Sequence, residues 1–180
     1  KDANPQVVLN KLFSYTQLQD TVGVIMLALV NGIPKVLTLK EMLEQYIDFQ
    51  VDVITRRTKF DLNKAKEREH ILKGLVIALD NIDEVIEIMK TSKNIPEAKQ
   101  RLNQRFGLTD IQADHIANMT LGRLTGMERQ KIIDELAEIE VKIADLEDIL
   151  ANHQRILDII IEEVEAIQDK FGDERRTQIE

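Results

Sequence analysis

No cysteine occurs anywhere in the 180 residues. That excludes disulfides and thiolate metal sites, and it fits a reducing compartment. Tryptophan is also missing, and aromatic residues make up only 4%. That is thin for a compact enzyme and ordinary for a helical rod packed by Leu, Ile and Val. Three prolines and seven glycines leave few places where a helix must stop. Basic charge is not in excess: 24 Lys and Arg stand against 32 Asp and Glu, a net charge of −8. A freestanding DNA-binding domain is usually basic, so bulk charge argues against DNA affinity as the main role. No apolar run reaches membrane-spanning length, and no signal peptide opens the chain. The sequence begins Lys1-Asp2 in mid-pattern, which reads as an excised piece of something longer.

What is present is 43% hydrophobic and 31% charged, a balance that leans all-α and partly coiled. Asn4-Pro5 followed by Val8, Leu9, Leu12 and Phe13 predicts a short capped helix. The next stretch, "VGVIMLALVNGIPKVLTL", is apolar, β-branched and interrupted by Asn31-Gly32. Asn-Gly between apolar runs signals a hairpin, because a type I′ turn needs positive φ at both central residues. Strands are expected near 23–30 and 33–38. Thr38 and Glu41 form a capping box, so a helix starts there. Its apolar spacing continues to the Lys93–Pro96 stop, ending in Leu72, Leu75, Leu79, Ile82, Ile86 and Met89. One helix of roughly 50 residues, ~75 Å long, is expected.

Residues 94–126 differ. Pro96 marks a helix start, Phe106-Gly107 a helix end, and Thr109–Gln112 another cap. Two short helices, with a break near Leu121-Gly122, would make a small knob. Thr125–Glu128 offers a third capping box. A second long helix follows, with the seam Ile132, Leu136, Ile139, Ile143, Leu146, Leu150, His153, Leu157, Ile160, Val164, Ile167 and Phe171. Spacings alternate 4 and 3 throughout, which is the pattern of a coiled-coil seam. Gly172 is expected to end it as a C′ residue. The fold class is therefore mainly α: a long antiparallel two-helix coiled coil, a helical knob at its tip and a short β-hairpin near its base. The segments are a base (1–38), an outgoing helix (39–93), the knob (94–126), a returning helix (127–172) and a tail (173–180).

Little in this pattern points to catalysis. His153 is the polar position of the seam, and within "ANHQR" it reads as a break in packing or a register device rather than a buried switch or ligand. His70, His115 and His153 lack metal-ligand spacing. No phosphate-binding glycine loop or nucleophile triad occurs, and packing is the default role of Tyr15 and Tyr46. The stretch Thr55–Lys73 holds seven Lys or Arg against three Asp or Glu, whereas Met127–Phe171 holds thirteen acids against five bases. Opposite charge favours pairing of the two helices, though an exposed pair contributes only ~0.3–0.5 kcal/mol. Arg56, Arg57 and Lys59 could face DNA, but salt bridges to the partner helix are the simpler use of the arginines. The knob carries an apolar surplus in Leu108, Ile111, Ile116, Met119, Leu121 and Leu124. A knob this small cannot bury all six alone, so either it packs back on the coil or two knobs meet about a two-fold axis.

Several stretches, in order along the whole chain, resemble the A subunit of bacterial type IIA DNA topoisomerases. They are "TQLQDTVGVIMLALVNGIPKVLTLKEML", "VITRRTKFDLNKAKEREHILKGLVIALDNIDEVIEIM", "RLTGMERQKI" and "FGDERRTQI", in a form closer to the gyrase branch than to topoisomerase IV. Asn118, Thr120 and Met127 depart from the family's usual Asp, Arg and Leu in the knob motif. The resemblance implies the coiled coil and C-terminal dimerisation gate of that protein, through which a transported duplex leaves. It implies a homodimer joined through the knob, a partner B subunit, and a bacterial cytoplasmic setting with no membrane contact. No cofactor is implied in this region, since ATP and Mg2+ belong to the B subunit. The family's catalytic tyrosine follows an arginine. Ser14 precedes Tyr15 here, so the nucleophile is not carried over. Two rival expectations are a DNA-binding module using the basic face of 56–73 and a generic coiled-coil scaffold.

Overall fold

The computed structural model describes residues 4–120 and 126–179, which are mainly helical with one small antiparallel sheet. The chain divides into two compact units, Lys1–Phe49 and Gln50–Glu180, so the division falls inside the first long helix.

In the first unit, α1 (Pro5–Tyr15) starts where Asn4 accepts a hydrogen bond from the Gln6 amide. It ends at Thr16, whose amide and hydroxyl both donate to the Leu12 carbonyl. Strands β1 (Met26–Val30) and β2 (Ile33–Leu37) pair antiparallel, with Val30 opposite Ile33 and Met26 opposite Leu37. Asn31 and Gly32 have φ of 53° and 78°, as the type I′ turn requires. The Thr38 amide donates to Glu41 Oε2 at 2.7 Å and the Glu41 amide to Thr38 Oγ1 at 3.3 Å. This reciprocal cap holds the Glu41 carboxyl below the usual carboxylate range, chiefly through the Thr38 backbone bond, and launches α2 (Leu39–Asp80).

In the second unit, α2 continues and is followed by α3 (Ile82–Thr91), α4 (Ile95–Phe106), α5 (Asp110–Ala117), α6 (Gly126–Ala151) and α7 (His153–Phe171). α2 packs against α6 and α7 in opposite direction. Ile54 clusters with Ile149, Ile156 and Ile160. Ala65 clusters with Ile143 and Leu146. Leu72, Leu75 and Leu79 join Ile132, together with Val85, Ile88, Leu102, Leu108, Ala113 and Ile116. Burying one such Leu or Ile stabilises by about 1.5–3 kcal/mol, so the largest cluster is the thermodynamic centre of the unit. The caps of the short helices agree with the sequence: Asn94 accepts from the Glu97 amide, and Gly107 closes α4 at φ 66°.

Two expected helices are each two. The outgoing helix breaks at Asn81 (φ −122°, ψ 37°), whose side chain donates back to the Ile77 carbonyl at 2.9 Å. Asparagine competes with the helical ladder in this way. The returning helix breaks at Asn152 (φ −119°, ψ 104°), which caps α7 by accepting from the Gln154 amide. A residue outside the helical conformation interrupts the rotation of 100° per residue. Burial therefore moves from the expected Ile82, Ile86 and Met89 to Val85 and Ile88, and from His153 and Leu157 to Ile156 alongside Ile160. Of the expected seam, Ile132, Ile143, Leu146 and Ile160 are buried. Leu136, Ile139, Leu150 and Leu157 are half-buried, and Val164 and Ile167 are exposed. His153 is exposed at the first position of α7, a break in packing as its polar neighbourhood suggests. Gly172 caps α7 in an extended conformation (φ −64°, ψ 134°), not in the left-handed one typical of a C′ glycine. The expected break near Leu121-Gly122 and the cap at Thr125 lie outside the described residues.

Candidate functional site

α5 is anchored by one residue used twice. Gln112 completes the capping box with Thr109, its Oε1 accepting from the Thr109 amide at 3.0 Å. Its Nε2 reaches α2 and donates to the His70 carbonyl at 2.7 Å. The His70 ring also bonds Thr109, with Nε2 2.7 Å from Oγ1. α4 and α5 are tied by Lys99 to Asp114 and by Asn103 Nδ2 donating to Asp110 at 2.6 Å. The Lys99 ammonium is the main reason the Asp114 carboxyl lies below its ordinary range. α3 and α4 are tied by Arg105 to Glu84.

This head carries the candidate interface residues. Leu108 (6% exposed) and Ile116 (4%) sit in the chain's own core, because α4 and α5 fold back onto α2. Met119 packs partly against the same core. Ile111 is 59% exposed, at the edge of α5 beside Asn63, His70 and Ile71 of α2. Leu121 and Leu124 lie outside the described residues. An apolar hollow of about 270 Å³ opens between α3 and α5, lined by Ile82, Val85, Ile86, Met89, Ile116 and Met119.

The basic flank of α2 is largely neutralised. Arg56 pairs with Asp52 on its own helix at 2.8 Å, and Arg57 pairs with Glu163 of α7 at 2.8 Å. Lys66 meets Glu147, Arg68 meets Glu135, Lys73 meets Glu69 and Glu140, and Arg129 meets Asp80. Lys59 is exposed and makes no ion pair among the described residues. The Arg68–Glu135 pair is bidentate, at 2.7 and 2.9 Å. This bond raises the Arg68 guanidinium and is the largest influence lowering the Glu135 carboxyl.

Among the described residues nothing resembles a catalytic constellation. Tyr15 is 84% exposed and Tyr46 is also exposed, so neither packs as expected. Among the described residues no group of three or more His, Asp or Glu is placed to hold a metal ion. No described helix is long and apolar enough to cross a membrane. Sequence reasoning missed the Gly74–Gln112 contact, the Arg68–Glu135 fork and the reach of Arg155 to Asp145 and Asp148. The capping pattern singled out Gln112, but only for its local bond.

The family model for the A subunit of DNA gyrase/topoisomerase IV matches residues 1–165. The DNA gyrase A subunit of Clostridium acetobutylicum is 54% identical over 180 residues, all of this chain and 22% of that protein. Those of Leptospira biflexa and Mycolicibacterium smegmatis are each 50% identical over 179 residues, 99% of this chain and 21% of theirs. The chain thus spans about a fifth of the length of these relatives.

Proposed function

We propose, from the premise that this chain belongs to the A-subunit family of DNA gyrase and topoisomerase IV, that it forms the coiled-coil arm and protein exit gate of such a protein. On this reading α2 with α6 and α7 is the arm, and α3 to α5 form the head that meets a second copy. The two copies, together with the B subunit, would make an ATP-dependent enzyme that passes one duplex through another. The arm would space the DNA gate from the exit gate, and the chain itself would perform no bond chemistry.

The observation that carries this reading is the order of contacts along α2. Its partners descend from Ile160 through Ile143 to Ile132 as α2 ascends from Ile54 through Ala65 to Leu72. That order supports an antiparallel helix pair with the head at its turn. Ile111 and the hollow beside Met119 give the head an apolar surface of its own. The rival reading, a DNA-binding module on 56–73, requires cations that are here engaged by Asp52, Glu163, Glu147 and Glu135.

Light scattering tests the proposal. The chain is expected at twice 20.7 kDa at micromolar concentration. Ile111→Asp with Met119→Asp is expected at the monomer mass, with helicity retained. A wild-type monomer, or a dimer indifferent to these changes, removes the gate from the head.

A further inference from the structure

The second break in the helices is bridged by one side chain. Asn152 leaves the helical conformation, yet its amide still donates to the Asp148 carbonyl at 3.0 Å. Three residues later, Arg155 turns back from α7 to α6. One guanidinium nitrogen bonds Asp148 at 2.6 Å and another bonds Asp145 at 2.9 Å. These are the only ion pairs joining α6 to α7 among the described residues. Opposite the break, α2 is continuous from Leu39 to Asp80. Its Ile54, 1% exposed, packs with Ile149 before the break and with Ile156 and Ile160 after it.

We propose that Arg155 is a salt-sensitive latch across the Asn152 break, with Ile54 as the pivot on which α7 re-angles against α6 when the latch opens. A break in only one of two paired helices leaves the other to act as a spring. The bend is then set by whatever else joins the broken ends. Here that is the cap of Asn152 and the three-charge cluster. Arg155 is more than a third exposed and both aspartates about half, so the cluster weakens as salt is added. The buried isoleucines hold under the same conditions. Two acids sharing one planar guanidinium fix an angle more narrowly than one pair does. The use of this bend in moving the head rests on the gate reading. The latch itself does not.

The absence of native cysteine makes the test direct. Glu138→Cys on α6 and Glu165→Cys on α7 carry spin labels at exposed positions. The labelled chain is diluted with unlabelled chain, so that pulsed dipolar spectroscopy reads intrachain distances. At low salt a single narrow distribution is expected. Arg155→Gln is expected to broaden it and shift its mean, and added salt to move the unmutated arm in the same direction. Arg68→Gln, which breaks an α2–α6 pair well before the break and leaves α7 untouched, is expected to leave the low-salt distribution narrow. Asp145→Asn with Asp148→Asn should reproduce Arg155→Gln, with helicity by circular dichroism unchanged. If Arg155→Gln and high salt both return the low-salt distribution, or if the acid pair fails to reproduce the arginine variant, the latch is overturned. The light-scattering result stands or falls separately.

Discussion

Gly74 of α2 lies directly beneath Gln112 of α5. A Cβ built on the glycine would stand 2.7 Å from Gln112 Cγ and 2.8 Å from its Cβ, closer than carbon atoms approach without displacement. The head is seated on the arm at this point, and the same Gln112 side chain bonds the His70 carbonyl one turn earlier. Glycine is therefore needed for close approach, not for an unusual φ.

Gly74→Ala sets two effects against each other. Alanine improves helix propensity by about 0.8–1 kcal/mol. Forcing a methyl into a filled seat costs about 1–3 kcal/mol, and Gln112 is buried, so it cannot swing clear. The clash is expected to win, with a net loss of up to about 2 kcal/mol and a lower midpoint of thermal unfolding. Adding Gln112→Ala removes two of the three close atoms and should recover part of the loss. A Gly74→Ala chain as stable as the parent would show that the seat has slack.

The helix caps and the hairpin turn were legible in the sequence because each is local chemistry. Asn4, Thr38 and Thr109 cap as their spacing predicts, and Asn31-Gly32 turns as its residue types demand. The opposite directions of α2 and α6 followed from two long apolar seams joined by a short segment. The breaks at Asn81 and Asn152 were not legible. Heptad spacing runs through both without a slip, and one asparagine in a long helix has only a weak preference to stop it. The phase of burial beyond each break was lost with them. Burial among the candidate interface residues was not legible: apolar character singled out Leu108, Ile111 and Ile116 equally. Only the way α5 lies on α2 separates the buried pair from exposed Ile111.

That separation gives two substitutions of the same residue type with opposite outcomes. Ile54→Ala, at a fully enclosed position shared by α2, α6 and α7, is expected to cost about 2–5 kcal/mol. Ile111→Ala, measured at concentrations where the chain is monomeric, is expected to cost no more than about 0.5 kcal/mol. Denaturant midpoints at equal m-value decide it. Comparable losses would mean that Ile111 is packed in the monomer.

The Arg68–Glu135 fork predicts a pH dependence. Its bond to Arg68 lowers the Glu135 carboxyl below the ordinary glutamate value of 4.5. Its contribution to stability is therefore fully present above that value and is lost as pH falls through the lower folded-state value. Both side chains are more than a third exposed, so solvent screening holds the contribution to about 1 kcal/mol or less. Glu135→Gln should be less stable than the parent at pH 7, and the gap should narrow toward pH 3. Added salt should shrink it at pH 7. A gap independent of pH would assign the effect to packing.

The ion-pair ladder leaves acids over. Glu138, Glu162, Glu165 and Asp169 make no ion pair or side-chain hydrogen bond among the described residues, while Arg57, Lys66, Arg68 and Lys73 of α2 are occupied. An arm lined this way repels a phosphate backbone, which on the proposed exit-gate reading would keep a passing duplex from lingering. Replacing the four acids with their amides removes four negative charges and leaves every pair of the ladder intact. In fluorescence anisotropy at low salt, the parent chain is expected to bind duplex weakly. The amide variant should bind more tightly, with the gain vanishing as salt rises. In a whole gyrase-type enzyme carrying the same changes, strand passage at low salt is expected to slow as the duplex is retained. Equal duplex affinity and equal passage rates for parent and variant would mean that the leftover acids are a solvated surface and nothing more.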